Sequence, residues 1–291
     1  MFENVSIIGC GLIGSSVFRA LKKNGLAKTV ITFDNNKSVS EIIKKENLSD
    51  RIVSSPEEAV SNADLVLIST PLSSFESAVD SIKKNLKLGS ILTDTSSVKK
   101  GANAIIKKMN LKNISWVPSH PVAGTEKSGP GAGSPDLFKD RWTILTPDSK
   151  AKDSDVKKVS IFWESIGSKV KIMSAGDHDK ILSLTSHLPH VIAYNIVKTA
   201  MGDDEKMKQD VIRYSAGGLR DFTRIAASNP IMWKDIFIDN SDLIIDGINK
   251  FSKSLEEFKK AITEKDSKKL LDIFEKSREF REAIIIAGQD T

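Results

Sequence analysis

Hydrophobic and polar positions follow two different periods along this chain, and the change falls near residue 173. Before it, short apolar runs of strand length stand at 4–8, 28–33, 64–69, 90–93, 114–117, 141–146 and 168–172. Stretches with helical spacing lie between several of them, at 14–24, 38–46, 73–86, 98–109 and 152–165. Alternation of this kind predicts a mostly parallel sheet with helices on both faces. Beyond 173 the strand signal stops, and 177–201, 204–227, 231–264 and 267–287 read as helices. Ile244, Ile248, Phe251, Leu255, Phe258 and Ile262 step by four, three, four, three and four, which makes one apolar seam. Leu270, Ile273, Phe274, Phe280 and Ile284 form a similar stripe on the last helix. Such stripes need a cover. Other helices of the chain could supply it, and a second copy of the chain is the expected one.

The turn after the first apolar run is the most specific local signal. Gly9-Cys10-Gly11-Leu12-Ile13-Gly14 follows Val5-Ser6-Ile7-Ile8 and opens a helical stretch, and Asp34 stands twenty residues past Gly14 behind a second apolar run. This is the order of a dinucleotide site. Gly9 permits the tight turn, Gly11 lets backbone N–H groups of Leu12 and Ile13 approach a pyrophosphate, and Gly14 lets helix and strand pack closely. The helix N-terminus turns its positive end toward the phosphates. Asp34 would accept both ribose hydroxyls of NAD and repel the 2′-phosphate of NADP. Ser69-Thr70-Pro71, at the end of a later strand, would lie along the cofactor's path. The expected fold is therefore an α/β N-terminal Rossmann-type doubly wound sheet, residues 1–172, followed by an all-α C-terminal dimerisation domain, residues 173–291.

Composition narrows the class. The 291 residues are 40% hydrophobic and 28% charged, as in ordinary globular chains. No apolar run approaches the ~20 residues needed to span a bilayer. The first strand begins at once, leaving no room for a signal peptide, so a cytoplasmic location is expected. The single cysteine, Cys10, forms no internal disulfide and is expected to fill a small apolar site. The net charge of +5 is spread over Lys-Lys pairs interleaved with acids, which reads as solvated helix faces rather than a nucleic-acid surface. A mild positive field also suits anionic substrates.

Three further segments could carry chemistry. Thr93-Asp94-Thr95-Ser96-Ser97-Val98-Lys99 places hydroxyls where a strand gives way to a helix. They could simply cap that helix, or one of them, most plausibly Ser97, could lie beside the nicotinamide. Ser119-His120-Pro121-Val122-Ala123-Gly124-Thr125-Glu126-Lys127-Ser128-Gly129 places His120 at a strand end inside a glycine-bearing loop. An imidazole titrates near neutrality, so His120 is a candidate general base. In the helical half stand His187-Leu188-Pro189-His190 and Gly217-Gly218-Leu219-Arg220-Asp221-Phe222-Thr223-Arg224. His187 and His190 can share a helix face, and Arg224 offers a fork for a carboxylate, the alternative being a surface pair with Asp221. The two histidines lack a third ligand nearby, so no metal site is expected.

With these motifs assembled, the chain resembles the prephenate/arogenate dehydrogenase family of tyrosine biosynthesis. The likeness rests on the glycine turn through Ser15, on 93–99, on 120–129, on 187–190, on Asp221-Phe222-Thr223-Arg224-Ile225-Ala226 and on Pro230-Ile231-Met232-Trp233. It implies an NAD-dependent oxidative decarboxylation of a cyclohexadienol acid by an intertwined homodimer. It also implies roles. His120 would accept the substrate hydroxyl's proton, and Ser97 would bond the same hydroxyl or His120. Arg224 would clamp a substrate carboxylate. His190 would lie on the substrate side, with His187 a weaker candidate. Thr125, Glu126, Asp221 and Gly217 would orient substrate at the entrance, partly across the dimer. Thr95 and Ser96 depart from the smaller residues of relatives, which leaves open which hydroxyl touches substrate. Neither a mutase segment nor an amino-acid-sensing domain is expected, so any inhibition by tyrosine would act at the active site. Two other readings stay open: a β-hydroxyacid-type dehydrogenase, which would use a catalytic lysine in the helical half, and a non-catalytic NAD-binding dimer.

Overall fold

A computed structural model describes residues 2–202 and 204–288. It divides into two compact units, Met1–Ser241 and Asp242–Thr291. The first is built on a five-stranded parallel sheet in the order β2-β1-β3-β4-β5. The strands are β1 (Asn4–Ile8), β2 (Thr29–Phe33), β3 (Leu65–Ile68), β4 (Ile91–Asp94) and β5 (Ser115–Trp116). The inner strands β1, β3 and β4 are buried on both faces almost throughout, which suits their largely apolar sequence. In β3, Leu65 and Leu67 join one apolar layer with Ile7, Val17 and Leu21, while Val66 and Ile68 join the other with Phe75, Val79 and Leu92.

The flanking helices are α1 (Leu12–Lys23), α2 (Lys37–Lys45), α3 (Pro56–Val60), α4 (Leu72–Ile82), α5 (Lys99–Met109) and α6 (Asp153–Ser165). The short α3 escapes the periodicity but has a capped start: the Ser55 hydroxyl accepts from Glu58 N at 3.2 Å and Pro56 opens the helix. Cys10 is fully buried in the core, as its expected apolar site requires, and burial pushes its thiol pKa up to about 12.

A second, three-stranded sheet contains β6 (Ser119–Pro121), β7 (Trp142–Leu145) and β8 (Lys169–Ile172). β6 was not expected. Its residues are polar and flanked by prolines, so no pattern marks it. Antiparallel pairing makes the strand, with Ser119 opposite Leu145 and His120 opposite Ile144. His120 therefore stands on a strand rather than in a free loop.

After β8 the chain is helical: α7 (Ala175–Leu182), α8 (Leu188–Met201), α9 (Glu205–Tyr214), α10 (Gly217–Thr223), α11 (Pro230–Asp239), α12 (Ser241–Thr263) and α13 (Ser267–Ile286). A wide π-turn, Ser183–His187, joins α7 to α8. Pro189 explains it, because that residue has no N–H to continue the α ladder. The stretch 204–227 breaks before Gly217-Gly218, where helix propensity is poorest. The stretch 231–264 breaks at Asn240, which ends α11 and turns its side chain to other partners. In the second unit the seam of α12 and α13 is largely open: Phe258 and Phe274 meet at 6.2 Å, while Leu255, Ile262 and Phe280 are exposed.

Candidate active site

The glycine turn is shaped for close approach. Gly9 has φ +97°, and a Cβ there would stand 2.5 Å from the Ser69 carbonyl oxygen. A Cβ on Gly14 would run into the Gly9 carbonyl oxygen. On Gly11 it would meet nothing within 4 Å, so that side of the turn is open. Gly11 is also the N-cap of α1 and supplies no side chain to cap it. The first-turn N–H groups of Leu12 and Ile13 thus lack an intrahelical acceptor. The Asp34 carboxylate is aimed by two backbone donors, Cys10 N at 2.8 Å and Asn36 N at 2.9 Å, and keeps lone pairs for further donors. At the neighbouring strand ends, Thr95 Oγ1 donates to Ser69 Oγ at 3.2 Å, and Pro71 is the N-cap of α4. The buried hydroxyls of Thr70 and Ser96 have no partner among the described residues. An open glycine turn, an aimed acid and orphan hydroxyls at adjoining strand ends fit a dinucleotide.

Beside this turn lies a buried polar cluster. Lys99 and Asp94 are both fully buried and pair at 2.6 Å. Lys99 Nζ also donates to the Ser119 carbonyl at 2.6 Å, while Asp94 accepts from Ser119 N and Ser96 N, each at 3.0 Å. Burial lowers the lysine pKa, and the Asp94 charge opposes that shift. Ser119 is thereby clamped from both ends, and with it the next residue. His120 is buried, and its Nδ1 lies 2.8 Å from Nε2 of His178; Nδ1 of His178 lies 2.7 Å from Asp179 Oδ1. Burial, then the nearby His178, Lys99 and His187, drives the His120 pKa well below its ordinary value. Its imidazole is a neutral acceptor at physiological pH.

The helical side adds a ring stack. His190 lies face to face on Trp233, centroids 3.5 Å apart, and His187 meets the same indole edge-on at 6.1 Å. The Trp233 N–H has no partner among the described residues. His187 Nδ1 faces Asn240 Nδ2 at 3.1 Å, and that amide also donates to the Asp179 carbonyl at 3.0 Å. Burial lowers the His190 pKa, and the nearby Arg224 charge adds to the shift. Arg224 reaches Glu126 at 3.8 Å, while Asp221 pairs with Arg220 at 3.2 Å. The alternative i,i+3 pair of Asp221 with Arg224 is thus not the one formed. Gly217 opens α10, and Thr125 Oγ1 accepts from Lys127 N at 3.2 Å. Ser97 is half-buried, and among the described residues its hydroxyl makes no hydrogen bond; the His120 ring bonds His178 instead.

Sequence reasoning missed His178, Asp179 and Asn240, and treated Asp94 and Lys99 only as parts of a motif. One signal was available. The chain has only four histidines, and His178 is the one beside an acid.

A dinucleotide turn at strand ends next to a neutral buried imidazole defines a nicotinamide-dependent oxidoreductase. A family model for the prephenate dehydrogenase nucleotide-binding domain matches residues 17–172, and one for its dimerization domain matches residues 174–276. The cyclohexadienyl dehydrogenase of Zymomonas mobilis is 40% identical over 98% of this chain and 97% of its own length. The prephenate dehydrogenase of Bacillus subtilis is 29% identical, over 98% of this chain and 76% of its own. A crystal structure of the Aquifex aeolicus prephenate dehydrogenase, with hydroxyphenyl propionate and NAD+, superposes with a TM-score of 0.87 at 31% identity, covering 98% of this chain and 99% of that one. The chain belongs to the prephenate dehydrogenase family, whose cofactor is NAD.

Proposed function

We propose that this chain oxidises prephenate, arogenate or both, with loss of carbon dioxide, in tyrosine synthesis. One observation supports this most: His120, His187, Trp233, His190 and Arg224 follow one another as a run of neighbouring side chains. The field of His187 reaches His120, the Trp233 indole spans His187 and His190, and the field of Arg224 reaches His190. A small ring carrying a hydroxyl and carboxylates matches such a run.

When bound, NAD accepts the hydride from the ring carbon that bears the hydroxyl. Gly9, Gly11, Leu12, Ile13, Gly14, Asp34, Ser69, Thr70 and Pro71 would hold it. Neutral His120 takes the hydroxyl proton as hydride departs, and returns it to the oxygen as the ring carboxylate leaves and the ring becomes aromatic. Aromatisation drives the step, so the protein's task is to position the ring. Arg224 is exposed, approaches Glu126 at 3.8 Å, and would turn its fork to a substrate carboxylate. His190 and His187 would bound the substrate, Ser97 would align hydroxyl and nicotinamide, and Thr125, Glu126, Asp221 and Gly217 would line the entrance. The functional division would fall at 172/173, and the site of action would be the cytoplasm; no helix among the described residues is long and apolar enough to cross a membrane.

Steady-state kinetics on two variants test the assignment. His120→Asn should lower kcat roughly 10²- to 10⁴-fold with little change in KM. Arg224→Ala should raise KM roughly 10- to 100-fold, as loss of a charge-assisted contact requires. An unchanged KM in the Arg224 variant would remove its carboxylate role.

A further inference from the structure

We propose that His178 and Asp179 are positioning residues that decide which nitrogen of His120 faces the substrate. The proposal rests on the reading of His120 as the proton acceptor.

The argument is one of donors and acceptors. Asp179 is held ionised: burial works against its charge, but hydrogen bonds from His178, Lys99 N and Lys100 N outweigh it and lower its pKa. The two backbone N–H groups reach it at 2.8 and 2.9 Å. A carboxylate only accepts, so the proton between Asp179 Oδ1 and His178 sits on His178 Nδ1. Burial also keeps His178 neutral. Its Nε2 is then bare and can only accept, so the His120 nitrogen 2.8 Å away must donate. Neutral His120 has one proton, now committed to Nδ1. Its Nε2 is left bare, and that is the nitrogen a base needs.

The surroundings hold this order. Three charged or titratable groups bear on His120, namely His178, Lys99 and His187. Those bearing on His178 are Asp179, Lys99 and Asp94. Lys99 is paired with Asp94 at 2.6 Å, and Asp179 is joined to His120 through the ring of His178. Asn240 completes the frame by donating to the Asp179 carbonyl.

Two variants separate positioning from mere support. In His178→Gln the amide oxygen can still accept from His120 Nδ1, whereas His178→Leu offers no acceptor. ¹⁵N-histidine NMR of the full-length protein should show the proton of wild-type His120 on Nδ1, and a mixed tautomer in His178→Leu. Turnover of His178→Gln should stay within about tenfold of wild type. His178→Leu should lose on the order of 10²- to 10⁴-fold in kcat at nearly constant KM, the scale seen when a catalytic base is held in the wrong tautomer. A wild-type His120 protonated on Nε2 would overturn the proposal even if His178→Leu failed to fold. So would wild-type kcat in a folded His178→Leu. Full activity in His120→Asn would instead strike at the base assignment itself, which sets the two failures apart.

Discussion

His187 shows how single residues set the acid limit of this enzyme. Its ring is buried against Trp233, and burial lowers its pKa to about 4. In the unfolded chain an imidazole titrates near 6.5. Below that value the unfolded state binds a proton that the folded state refuses, so stability is full above about pH 6.5 and is lost as pH falls toward 4. The shift corresponds to roughly 3 kcal/mol. His120, His178 and His190 are shifted in the same direction. Thermal melts should therefore show Tm falling between pH 6.5 and 4, and His187→Gln should flatten that fall; an equal slope in the variant would contradict the assignment. Three of the four histidines could be read from sequence, because a strand end and an i,i+3 spacing have meaning on their own. His178 had only the weaker signal of an acid beside it: adjacent residues on a helix do not face one another as a rule, so the pair with Asp179 has no spacing signature. Its other partner is 58 residues away in sequence.

Among the elements, the clamp on β6 matters most to the site. β4 ends in Asp94, α5 begins at Lys99, and the two grip Ser119 at the head of β6. Asp179 of α7 accepts from the first two N–H groups of α5 and ties that helix to the relay. Lys99→Met would leave Asp94 buried without its cation. Loss of one partner from a buried pair costs about 3–5 kcal/mol, and urea unfolding at unchanged m should show it; a shift below 1 kcal/mol would mean that Asp94 finds another counter-charge. The inner parallel strands β1, β3 and β4 were legible because burial on both faces leaves largely apolar runs. β6 was not, because tertiary pairing makes that strand, and so the sequence showed His120 as a loop residue. The long helices were legible in period but not in their breaks at 215–216 and 240, where glycines and an inward-turned amide end them.

At the scale of the molecule, the two halves divide the work. The five-stranded sheet carries the glycine turn and Asp34, β6 of the second sheet carries His120, and the helices after β8 carry the histidine–tryptophan stack and Arg224. The helical part matches the family's dimerization domain. Its exposed apolar side chains, among them Leu255, Phe274 and Phe280, are the surface such a domain covers with a second copy. That seam was plain in the sequence, and the resemblance implied that His120 and Arg224 serve one substrate; the packing of α7, α8 and α11 was not legible there.

The most direct test is to incubate the purified protein with NAD and, separately, prephenate and arogenate, following NADH absorbance and released carbon dioxide together. The account predicts NADH and carbon dioxide in one-to-one yield with at least one of the two acids, and an aromatic product. No NADH with either acid, or NADH without carbon dioxide, would contradict it.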